Sequence, residues 1–116
     1  MKKQSIVLRA YSGKPLATVE GYAFEVEGIT LVVHPANLFS AANPDGSGLK
    51  VVRPKGAWQV SEPETGMTTM GSRSSTCASR AEAVEHATRC LSTPGAAAHL
   101  KNNQAKALER YTANLL

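Results

Sequence analysis

The stretch from Ala57 to Leu91 holds the only Trp in the chain, a turn signal and its best-punctuated helix, so the remaining segments are constrained to pack against it. Ala57-Trp58-Gln59-Val60-Ser61 alternates, with Trp58 and Val60 on one face and Ala57, Gln59 and Ser61 on the other, as a half-buried strand does. Trp58 is therefore expected to lie inside. Glu62-Pro63-Glu64-Thr65-Gly66 reverses the chain, because Pro presets φ and Gly is free to take φ > 0, and Met67 to Met70 returns as the partner strand. After a Gly/Ser/Arg loop, Ser79-Arg80-Ala81-Glu82 fits a capping box, in which the Ser oxygen accepts an N–H three residues on and the Glu reaches back to the Ser amide. A helix starts there. Ala81, Val84, Thr88 and Leu91 recur at helical spacing as a thin apolar stripe, and Thr93-Pro94-Gly95 ends it.

This W-x-V, T-G, S-x-x-E-A unit resembles the hairpin-then-helix unit of short uncharacterised phage and plasmid-borne α+β domains. It is also similar to the DNA-reading sheet of integrase arm-binding domains. The resemblance covers about a third of the chain and implies an accessory role in a phage or other mobile element. It assigns no residue a role.

A chain of 116 residues suits one domain able to bury roughly two-thirds of its unfolded surface without disulfide staples. With 42% hydrophobic but only 5% aromatic residues, Ala, Val and Leu must do most of the filling. Thirteen Lys and Arg against nine Asp and Glu give 13 − 9 = +4, a mild preference for anionic partners. No apolar run approaches the ~20 residues needed to span a bilayer, and Met1-Lys2-Lys3 precedes no secretory h-region, so a cytoplasmic protein is expected. Cys77 and Cys90 bracket the expected helix and would stand on the order of 20 Å apart, beyond disulfide reach.

Upstream of Ala57, Ser5 to Tyr11 reads as a strand, and Leu16 to Glu20 as a short strand or connection. Tyr22, Phe24 and Val26 alternate with Ala23, Glu25 and Glu27, after which Glu27-Gly28 turns tightly into Ile29-Thr30-Leu31-Val32-Val33. The second arm is apolar on both faces, which places it centrally in a sheet. His34-Pro35 is expected to end that strand, because Pro donates nothing to a ladder, and Ala36 to Phe39 to turn once as a helix. Residues 40–48, Ser40 to Gly48, are rich in breakers and read as a flexible surface loop; Leu49 to Arg53 is another strand. At the far end, Thr93 is expected to cap a helix over about 94–115 with Pro94 at its first position. Leu100, Gln104, Ala107, Leu108, Tyr111 and Leu115 make one stripe along it.

Candidate sites are few. Cys77, His86, Cys90 and His99 form C-x8-H-x3-C-x8-H, but these gaps match no zinc-knuckle spacing, so neither metal nor cofactor is expected. His34 beside Asp45 and several Ser residues lacks the rigid turn a nucleophile needs, which leaves it an ordinary strand terminus. Glu62 and Glu64, around a turn, read as exposed solvating charges. Lys50, Arg53 and Lys55 crowd one hairpin, while Arg73 and Arg80 flank the helix entry; with Lys2, Lys3 and Arg9 they could neutralise several phosphates. Leu100, Ala107, Leu108, Tyr111 and Leu115 could instead seat a second copy of the chain.

The expectation is thus one α+β domain: an antiparallel sheet of five or six strands, a short helix packed on one face and a longer C-terminal helix. Its expected function is a non-enzymatic interaction protein, acting on a protein partner or as a homodimer. The alternative is a nucleic-acid-binding module using the Lys50 to Lys55 hairpin and the Arg73 to Arg80 loop.

Overall fold

The computed structural model describes residues 1–41, 48–68 and 76–115. Among the described residues, seven strands and two helices follow one another: β1 (Lys2–Arg9), β2 (Pro15–Val26), β3 (Ile29–Pro35), β4 (Leu38–Ala41), β5 (Leu49–Val52), β6 (Trp58–Glu62), β7 (Met67–Thr68), α1 (Arg80–Leu91) and α2 (Ala96–Leu115). The main sheet is antiparallel with order β1-β2-β3-β6-β7, and β4 pairs with β5 in a separate two-stranded sheet. The architecture is α+β. The expected mobile loop at 40–48 and the return strand to Met70 extend beyond the described residues.

Local chemistry explains the hairpin at the centre. Glu27 and Gly28 both take positive φ, 53° and 77°, the two-residue loop whose twist matches flanking strands, and it sets Tyr22 opposite Val33 and Phe24 opposite Leu31. One face of the sheet then carries Val26, Leu31, Val33 and Val60, buried against Ala83, Ala87 and Leu91 of α1. The other carries Ile6, Leu8 and Val32, with Phe39 from the small sheet packed on them. Gly21 is required by space: a Cβ there would sit 2.7 Å from Val32 Cγ1 and run into the Val33 carbonyl oxygen. At the sheet's ends, Arg9 N–H donates to Gly66 O at 3.0 Å, so the first strand meets the β6–β7 turn and the sheet curls toward closure.

Several expectations need correction. β3 does not stop at Val33: it runs through His34 and Pro35, which pair with Gln59 and Trp58. Proline is tolerated there because the Trp58 N–H and C=O are both spent on its other side, on Cys77 at 2.8 and 2.9 Å. Leu38 to Phe39 is not helical but begins β4, whose partner is β5. On α1, Ser79 Oγ does accept the Glu82 N–H, but Glu82 reaches back to the Ala78 amide. The buried stripe is Ala83, Ala87 and Leu91, rotated from the expected Ala81 and Thr88, which are exposed; small alanines let the helix lie close to the sheet. Finally, α2 begins at Ala96, not at Pro94, because Gly95 sits at φ +84°, outside the helical region.

The α2 helix folds back on its own chain. Ala107 is buried, Leu100 packs on the α1-side core, and Tyr111 Oη donates to Thr65 O at 2.9 Å. Arg110 stacks on the Tyr11 ring, 3.5 Å from its centroid, and donates to Tyr11 O at 2.7 Å. Burial pushes the Tyr111 hydroxyl up in pKa, opposed by the neighbouring Arg110 and Arg9. No helix among the described residues is long and apolar enough to cross a membrane.

Candidate binding groove

Where β3 ends, a chain of hydrogen bonds runs from the core to the surface. His34 is fully buried; its Nδ1 lies 2.8 Å from Pro35 O and its Nε2 2.7 Å from Ser61 Oγ. A carbonyl can only accept, so Nδ1 carries the proton, and in the neutral ring Nε2 accepts from the Ser61 hydroxyl. Burial holds the imidazole below its ordinary pKa, with the Pro35 hydrogen bond pulling weakly the other way, so the ring is neutral at pH 7. Pro35 O also accepts from Asn37 Nδ2 at 3.0 Å, and the Asn37 N–H donates to Gln59 Oε1 at 3.0 Å. Asn37 Oδ1 in turn accepts from Arg53 Nε at 2.9 Å. Arg53 is thereby gripped at one nitrogen by a buried amide whose own orientation is fixed on two sides. Its two terminal nitrogens have no hydrogen-bond partner among the described residues.

Arg53 stands at a surface groove of about 500 Å³ that Lys3, Glu20, Tyr22, Pro35, Asn37 and Trp58 also line. The strand register builds it: Lys3 is opposite Tyr22 across β1–β2, and Pro35 is opposite Trp58 across β3–β6, so these side chains share one face of the sheet. Trp58 packs on the α1-side core as expected but is only half-buried, and it also lines the groove. Arg80, the first residue of α1, lies over the Tyr22 ring 4.3 Å from its centroid and adds a second guanidinium at the rim. Lys3 pairs with Glu20 at 3.5 Å, both side chains well exposed, a contact too screened to hold the lysine away from a ligand. Two lining cations against one carboxylate, with Arg80 over Tyr22 beside them, leave the groove positive.

No known family, characterised protein or solved structure matches this chain. What the groove can do therefore rests on its geometry.

Of the eight cations singled out in the sequence, Arg53 and Lys3 line the groove and Arg80 lies over the ring of its Tyr22. Lys50 and Lys55 are exposed on β5 and the turn after it, and Arg73 lies outside the described residues. The metal-like pattern is not assembled: Cys90 Sγ lies 3.8 Å from His86 Nε2, while His99 is beside Asn103 on α2. Among the described residues no three His, Cys, Asp or Glu side chains are grouped to hold a metal ion. His34 is no ordinary strand terminus, and with both His34 and Ser61 sealed from solvent the pair cannot present a nucleophile to a substrate. Glu62 is not a solvated charge either: it is buried, and its two oxygens accept the N–H groups of Glu64 at 2.6 Å and Thr65 at 2.7 Å, which satisfies the turn. Asn37, Tyr22 and Trp58 were missed as groove residues. The Asn two residues after Pro35 gave the one hint, since such a side chain often bonds backbone nearby.

Proposed function

We propose that the protein is a non-enzymatic binding module that holds nucleic acid by its phosphates in the groove between Trp58, Tyr22 and Arg53. The observation that carries this reading is Arg53. A surface arginine ordinarily loses side-chain entropy when it grips a ligand, but here Asn37 has already fixed the guanidinium at Nε and left its terminal fork open, the geometry that pairs two nitrogens with two phosphate oxygens. Arg80 and Lys3 supply further charge along the same face. The accessory role in a mobile element implied by the resemblance agrees with such a module and forms part of the proposal.

The test is fluorescence anisotropy with labelled oligonucleotides, single- and double-stranded. Three phosphate contacts on a single strand give a slope of log K against log salt of roughly −2, a loss of roughly 20-fold between ~50 and ~200 mM salt. Arg53→Glu with Arg80→Glu abolishes binding while the circular dichroism spectrum is kept. No retention of either form at ~50 mM salt removes this reading.

A second reading, association with a protein partner or a second copy, has its own support. On α2, Leu108 and Leu115 are 40% and 86% exposed and lie seven residues apart on one helix face, whereas Leu100, Ala107 and Tyr111 are turned onto the chain itself. Light scattering that shows a dimer, lost in Leu108→Lys, would favour it over the groove.

A further inference from the structure

We infer that the groove is built for a single strand, with a nucleobase laid against Trp58 and its adjoining phosphate on the Arg53 fork. This rests on the nucleic-acid reading above and narrows it. Bases in a duplex are stacked inward, and a protein reaches them by pushing a helix or ribbon outward into the major groove. Here the arrangement is inverted: Trp58 and Tyr22 lie along an open groove in the sheet surface with Arg53 beside them, so the base has to come to the protein. Only an unpaired base is free to do so. The open groove, at about 500 Å³, has room for one nucleotide.

The chemistry of the walls agrees. Trp58 lines the groove with Tyr22, offering an indole face for a base to stack on. Arg80 lies over the Tyr22 ring, 4.3 Å from its centroid, and guanidinium groups stack on bases as aromatic rings do. Asn37 touches no ligand in this arrangement. It is a positioning residue that fixes Arg53 so that both terminal nitrogens face one phosphate.

Trp58 is the sole Trp, so its fluorescence reports groove occupancy without labelling. The protein is titrated with oligothymidylate of about 12 nucleotides, with a duplex of equal length, and with polyglutamate. The inference expects saturable quenching by the single strand, affinity for it about tenfold above the duplex, and no quenching by polyglutamate. Trp58→Leu, followed by anisotropy of a labelled strand, loses roughly tenfold in affinity with the fold retained. Arg53→Lys keeps the charge, so the salt slope holds while affinity drops several-fold. Asn37→Ala costs affinity in the wild type and nothing further in the Arg53→Lys background; additive losses would overturn the positioning role. Equal binding of duplex and single strand with unchanged Trp58 emission overturns the single-strand inference and leaves the phosphate-binding reading standing. Quenching by polyglutamate as strong as by the oligonucleotide overturns both in favour of an acidic peptide, and no binding of any of the three polymers overturns both outright.

Discussion

Ser61→Ala is the sharpest probe of the buried chain behind the groove. It removes one oxygen, and with it the 2.7 Å bond to an imidazole that is 0% exposed, leaving the Nε2 lone pair in a dry core with nothing to replace it. Burying a polar atom without its partner costs about 2 kcal/mol, more than the net value of an ordinary hydrogen bond. In urea, with a denaturant slope of roughly 2 kcal/mol per molar for a chain of this size, the unfolding midpoint should fall by about 1 M. The thermal midpoint should fall by roughly 6–12 °C. Pairing the change with His34→Leu should restore part of the loss, because the Nε2 lone pair is then no longer stranded. Equilibrium urea melts followed by circular dichroism measure both variants. A Ser61→Ala protein within about 0.5 kcal/mol of wild type, or a double variant less stable than the single, would refute the view that His34 is held neutral as an acceptor.

Three further outcomes follow from the packing. Because the folded imidazole is held below its ordinary value of 6.5, the unfolded chain binds a proton first as the pH falls; stability is full above pH 6.5 and declines below it, by at most about 1.4 kcal/mol per pH unit, until the folded ring protonates. Urea melts across that range should show the decline in the wild type and a flatter profile in His34→Leu. Gly21→Ala places a methyl 2.7 Å from Val32 Cγ1 and against the rigid backbone of β3, so a loss of about 3 kcal/mol or failure to fold is expected; a variant of wild-type stability would mean that β2 and β3 are not this close. Tyr111→Phe deletes the bond to Thr65 O and should cost about 1 kcal/mol in the same melts, with no loss if α2 is not docked on the β6–β7 turn.

The parts of this fold that could be read from the sequence are those set by near neighbours. The Glu27-Gly28 hairpin, the alternation around Trp58 and the Ser79 cap each depend on residues within a few positions, and each is present. The groove was not legible for the same reason. His34 and Ser61 lie 27 positions apart, and Arg53 and Asn37 16, so nothing local joins them. Burial of Gln59, Ser61 and Glu62 also escaped the pattern. Alternation assigns polar residues to water, whereas the curled sheet encloses Ser61 with Val32, and backbone amides of the following turn satisfy Glu62. Pro35 misled in the opposite direction, since the neighbour that excuses its missing N–H is Cys77, far along the chain.

The most direct test of the groove as the binding surface is a nitrogen-15 NMR titration with a short oligothymidylate. The single Trp58 indole N–H, the Arg53 Nε–H and the Asn37 side-chain amide are expected to shift together and to saturate at one equivalent of strand. Shifts confined to the Leu108 and Leu115 face of α2, with those three signals unmoved, would contradict the account.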